Sequence, residues 1–289
     1  MRIIENSKIW FSISSLIILA GLVSLICWGL NWGIDFKGGS LVEYQVKNLK
    51  FEEIKDIISS TISDATISKT KKDSILIKSS TLEKKPFEEL KRKLEEKNAK
   101  VEEIRFETVG PAISKILIRK AIWALLLVSF FIILYIAWAF RSVPKGISSW
   151  KMGFSAIIAL VHDVLVVIGL FSILGHFSNI EIDSYFITAL LTIIGFSVYD
   201  TIVVFDRIRE NLKYSNQPFP SLVNKSIMQV ITRSLNTSFT TLLVLFALFL
   251  FGISTIKYFA LALIIGFIAG TYSSIFIASP ILVIWSSKK

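Results

Sequence analysis

The 289-residue sequence contains one cysteine and two histidines. Cys27, alone, can form neither an internal disulfide nor a thiolate metal cluster. His162 and His176 are too few and too far apart for a histidine metal site. No G-x-x-x-x-G-K-[ST] stretch occurs, which excludes a P-loop nucleotide motor. A nucleophile motif of the Ser/His/Asp type is also missing. The expectation is therefore a protein that is no enzyme and holds neither cofactor nor metal. Charge is scarce as well, at 19% of residues.

What the sequence has instead is apolar length. Hydrophobic residues make up 53% of it, and the mean hydropathy is +0.64. Such values point to a polytopic membrane protein. Six stretches are long enough to span a bilayer: about 9–30, 119–140, 152–174, 184–205, 235–252 and 258–285. The first exceeds the apolar core of a signal peptide and has no A-x-A-like site after it, so it reads as a retained helix. Cys27 mimics a lipoprotein site, but Ile26 stands where a small residue would be needed.

The net charge of +10 follows topology, and nucleic acid is not an expected partner. Arg2, Lys8, Arg141, Lys145, Lys151, Arg207, Arg209, Lys213, Lys225, Arg233, Lys288 and Lys289 all fall on one side of the six runs. The short loops of the other side hold only Lys257. The positive-inside rule puts the first group, with both termini, in the cytoplasm. The long polar segment 31–118 then lies outside, and its seventeen basic and fifteen acidic residues nearly cancel.

Three parts are expected: 1–30, the first helix; 31–118, an extracytoplasmic α+β domain; and 119–289, a five-helix bundle with cytoplasmic loops near 141–151 and 206–234. In the outer segment, strand-like 40–46 is followed by a helical face through Phe51, Ile54, Ile57, Ile58 and Ile62. Short strands at 65–70 and 74–80 flank a hairpin turn at "KKD". A second helix spans 86–98 and a last strand 100–109. This β-α-β-β-α-β order is that of a ferredoxin-like unit. Gly38 and Gly39 read as a tight turn into the first strand.

Two acids interrupt the apolar runs. Asp200 lies about five residues inside the fourth, beside a polar stripe of Thr188, Thr192, Gly195 and Tyr199. Arg233, Thr237, Thr240 and Thr241 share a face of the fifth, so an Asp200–Arg233 pair is expected. Asp163 sits mid-way along the third run, next to His162. Intramembrane acids mark proton or ion paths, or else fix helices together. For Asp163 both readings stay open; His162, about 100° around the helix, reads first as structural. Asp163, His162 and Thr237 form a candidate second polar site. In the sixth run Ala262, Gly266, Gly270, Ser274 and Ala278 recur every four residues, a ridge for close packing. The segment 220–235 carries Val223, Ile227, Val230 and Ile231 on one side, as an amphipathic interfacial helix would.

Four ordered stretches, "NWGIDFKGGS", "VHDVLVVIGLFSILG", "IIGFSVYDTIVVFDRIREN" and "RSLNTSFTTLLVL", resemble the SecF side of the SecD/SecF family. The family is related to resistance-nodulation-division transporters. The resemblance implies a SecD-like sister subunit completing a twelve-helix unit beside the SecYEG channel, with YajC a further candidate partner. It implies use of the proton-motive force to draw out preproteins pushed by SecA, across a bacterial plasma membrane. It also implies that Asp200 is the proton-relay acid and Arg233 its arginine. Two alternatives are a proton-driven exporter of a lipid or small molecule, and a non-transporting scaffold.

Overall fold

The computed structural model describes residues 2–69, 74–97, 99–141 and 148–287. The expected turn at 71–73, and Lys145, Lys288 and Lys289, lie outside the described residues. In chain order the elements are α1 (Ser7–Trp28), α2 (Ile34–Lys37), β1 (Gly39–Lys47), α3 (Phe51–Thr61), β2 (Thr66–Lys69), β3 (Ser74–Ser79), α4 (Lys85–Glu96), β4 (Lys100–Val109), α5 (Pro111–Ala139), α6 (Ser149–Ser178), α7 (Ser184–Tyr214), α8 (Phe219–Phe251), α9 (Ser254–Ser273), a π-helical turn (Ser274–Ala278) and α10 (Ser279–Ser287). They form two compact units, residues 32–121 and residues 1–31 with 122–289.

The smaller unit is an antiparallel sheet of order β2-β3-β1-β4 with α3 and α4 packed on it. β3 lies between β1 and β2, which splits the β1-α3-β2 crossover. Apolar residues three and four apart on the two helices bury Ile54, Ile58, Phe87, Leu90 and Leu94 against Val42, Tyr44, Val46, Ile75 and Ile77. Tyr44 stays polar at its tip and donates to Phe87 O at 3.0 Å. Burial, then the nearby Glu103, Glu88 and Glu95 carboxylates, push its hydroxyl well above its usual range. Gly38 and Gly39 have φ of 82° and 126°. A Cβ on Gly39 would stand 2.5 Å from Ser79 O, so β1 enters its slot between β3 and β4 only as glycine.

Among the described residues six helices are long and apolar enough to cross a bilayer. The protein is a multi-pass membrane protein. α6, α7 and the α9–α10 helix are its most buried members, while α5 is mostly exposed along its length. α1 crosses α6 with backbones in contact: a Cβ on Gly21 would stand 2.8 Å from Gly169 Cα. Ser24 and Ser172 meet at 2.7 Å one turn further on.

The segment 206–234 is helical except at 215–218, because α7 runs to Tyr214 and α8 starts at Phe219. The expected separate interfacial helix is thus corrected: 220–235 is the first half of α8. Its apolar side, Val223, Ile227 and Val230, is buried in the bundle core. Asn211 and Arg207 of α7 hold it through Ser226 and Gln229. The amino-terminal segment docks on the same helix. Ile3 and Ile4 are buried, and both donate their N–H to Asn224 Oδ1 at 3.1 Å.

Candidate functional site

Two buried carboxyl groups lie where α7 packs between its neighbours. Asp163 on α6 is 1% exposed. Its Oδ2 accepts from Ser197 on α7 at 2.5 Å and from Ser273 on α9 at 2.8 Å. Its Oδ1 is 2.9 Å from His162 Nδ1. Three elements thus converge on one side chain, and both its oxygens are engaged. Gly270 makes room for this, since a Cβ there would stand 3.2 Å from Ser197 and 3.6 Å from Asp163 Oδ2. Gly266 presses on Ile193 in the same seam.

Asp200 on α7 is 2% exposed and differently provided for. Its partner among the described residues is Thr271 of α9, which donates to Oδ2 at 3.1 Å. Thr271 also meets Ser238 of α8 at 2.6 Å. A carboxylate offers about four lone-pair sites. Asp163 therefore has the fuller set of partners, and Asp200 the sparser one.

Ser273 and a further hydroxyl, Ser274, sit at a local break in the last span. Pro280 has no N–H to give to residue 276 and would crowd an unbroken turn. The chain answers with the π turn at Ser274–Ala278, and Ser279 donates its hydroxyl to Ser274 O at 3.0 Å. The wider turn lets Ser273 reach Asp163 while Ser274 meets Thr201 of α7 at 2.9 Å.

The expected Asp200–Arg233 pair is not made. Arg233 is exposed on α8, because the residue that faces the α9 seam is its neighbour Ser234, about 100° around the helix. Thr237 is likewise exposed, and among the described residues its hydroxyl bonds back to Arg233 O, at 2.9 Å, so it does not join Asp163 and His162. Those two are together, as adjacent partners. The stripe of Thr188, Thr192, Gly195 and Tyr199 is also exposed. Both α7 and α8 therefore carry exposed polar residues outside the buried site.

Sequence reasoning missed Ser197, Ser238, Thr271 and Ser273, and read Ser274 only as part of a packing ridge. Their signal was faint: single hydroxyls in apolar runs, which more often bond back to their own helix. The cluster "GTYSSIF" just ahead of Pro280 was the one local cue.

Comparison with known proteins gives a consistent picture. The family described as protein export membrane protein SecD/SecF, C-terminal, matches residues 89–288, and the SecD/SecF GG motif matches residues 29–48. Protein translocase subunit SecF of Thermobaculum terrenum is 42% identical, over 96% of this chain and 92% of its own length. The subunit of the same name from Anaerolinea thermophila is 40% identical, over 99% of this chain and 94% of its own. The crystal structure of SecDF, a translocon-associated membrane protein from Thermus thermophilus, superposes with a TM-score of 0.86 at 35% identity. It covers 100% of this chain, which spans 39% of that longer one.

Proposed function

The chain belongs to the SecD/SecF family of protein-export membrane proteins, and on that premise we propose that it couples proton movement to Sec-dependent export through Asp200. Its role in export is accessory and not enzymatic. The observation that carries the reading is the state of Asp200: a buried acid with one hydroxyl partner among the described residues, in the seam of three helices. A carboxyl group in apolar surroundings costs less protonated than charged. Taking up and releasing a proton there alters what Thr271, and through it Ser238, can bond. That biases the packing of α7, α8 and α9 between two arrangements.

Arg233 enters this scheme from outside the seam. It lies on the exposed polar face with Thr237, and that face cannot remain against lipid at low cost. A SecD-like half covers it, in keeping with relatives in which SecD and SecF are one chain. Arg233 then acts across or along that interface, and the relay is completed only in the assembled pair. Asp163 and His162 form the second polar site. With both carboxyl oxygens engaged, Asp163 is the fixed member, holding α6, α7 and α9 in register while Asp200 titrates.

The distribution of lysine and arginine supports a plasma-membrane orientation with both termini cytoplasmic and residues about 31–118 outside. The wider partners are the SecYEG channel, YajC and preproteins delivered by SecA. The test is export by the assembled complex carrying Asp200→Asn, in vesicles with and without a proton gradient. Loss of the gradient-dependent part with assembly intact supports the reading. An unchanged gradient response overturns it and leaves a scaffold role.

A further inference from the structure

The surface shared by α1, α6 and α10 is not smooth. Phe11, Ile158, Ile281, Ile284 and Trp285 line an open, mostly apolar cleft of about 310 Å³. At one end stands Lys151, whose Nζ donates to Trp285 O at 2.8 Å. An ammonium has three donors, so this bond leaves others for a second acceptor. Lys8 lies three residues before Phe11 on α1, which places both on one helical face.

Glu5, three residues before Lys8, accepts from Asn224 of α8 at 3.3 Å. The first turn of α6 contains Lys151 and no acid, and Ser148 makes no side-chain capping bond. A lysine at the positive end of the helix dipole adds to the potential there and does not offset it. Trp150 is 61% exposed and Trp285 38%, the placing of aromatic side chains at a bilayer interface. From that level the cleft runs inward, since Ile158 is seven residues beyond Lys151, about 10 Å at helical rise.

We propose that this cleft is a binding site for one phospholipid with an anionic head group. The phosphate sits at Lys151 with Lys8 beside it, and one acyl chain fills the apolar cleft. The side chains that line the cleft are aliphatic and aromatic, which suits an acyl chain lying along it. Charge decides the head group, because basic pockets between spanning helices on the cytoplasmic side select anionic lipids. The site shares no residue with the Asp200 seam and does not depend on proton coupling.

The experiment is native mass spectrometry of the purified full chain in detergent, titrated with phosphatidylglycerol or phosphatidylcholine of identical acyl chains. One phosphatidylglycerol should be retained where phosphatidylcholine is lost. Lys151→Gln should weaken that retention about five-fold, the effect of one basic residue near an anionic surface. Ile158→Trp, which fills the cleft, should abolish it, while Lys257→Gln, in the first turn of α9, should leave it unchanged. Unfolding temperatures of the variants show that they fold. Equal retention of both lipids, or retention indifferent to Lys151→Gln, overturns the head-group assignment. Retention that survives Ile158→Trp overturns the cleft. A photoreactive residue at position 11 should label lipid in native membranes, and a protein adduct there would also overturn the proposal.

Discussion

Thr271 on α9 donates to Asp200 Oδ2 at 3.1 Å while meeting Ser238 on α8 at 2.6 Å. One hydroxyl thus connects the acid of α7 to two neighbouring helices. A hydroxyl can donate only one proton, so a change in what Asp200 accepts is felt at Ser238.

Thr271→Val keeps the shape of that side chain and removes the link. Its cost in stability should be modest, about 1 kcal/mol for a lost hydrogen bond. Gradient-driven export should fall several-fold with assembly intact. An export assay run beside thermal unfolding separates the two effects; a large stability loss with normal coupling would assign Thr271 to packing alone.

The exposed Thr192 and Thr237 should be covered in the assembled complex. Thr192→Cys or Thr237→Cys should react readily with a maleimide in the isolated chain and slowly once the SecD-like half is bound. Cys27, exposed on α1, is first replaced by serine so that it does not contribute. Equal labelling in both states would place the partner elsewhere.

Gly169→Ala should loosen α1, because its Cβ would stand 2.6 Å from Gly21 Cα, where only backbone can give way. Over-packing of this kind costs about 1–3 kcal/mol. Ser24→Ala, which removes one contact nearby without adding bulk, should cost less. Unfolding in detergent ranks the two.

In the smaller unit Asp64 accepts from the Ser79 hydroxyl at 2.7 Å and from both the N–H and the hydroxyl of Ser80. These bonds, Ser79's first, hold its carboxyl below the usual carboxylate range. The folded state therefore favours the charged form, and the resulting stability is present above the unfolded value of about 3.8. It is lost as pH falls through the lower folded value. Asp64→Asn should thus be less stable than the parent at pH 7, and the difference should shrink on acidification. The side chain is exposed, so the effect is small. A gap that persists at low pH would point to lost packing instead.

Much of this protein is dictated locally. Six apolar runs, a polar insert between the first and second, and alternating strand and helix periods are properties of neighbouring residues. They fix spans and the βαββαβ order without reference to anything distant. An acid within an apolar run is also visible at once, because such residues are rare and costly there. So Asp163 and Asp200 stood out, while their partners did not.

The partners were decided by rotation about helix axes, which a single run does not encode. Arg233 and Ser234 are neighbours in sequence, yet one is exposed and the other faces the seam, and a turn of about 100° is the whole difference. The π turn before Pro280 shifts that register once more and delivers Ser273 and Ser274 to two different partners on α6 and α7. The continuation of α8 through 220–235 follows similar logic. Its apolar side suits either a bilayer surface or a protein core, and the packing of Val223 and Ile227 chose the core. Composition and period determined that this chain crosses a membrane and carries acids there; which hydroxyls meet those acids was settled only when α6, α7, α8 and α9 packed, because only packing sets the angle at which each helix faces its neighbours.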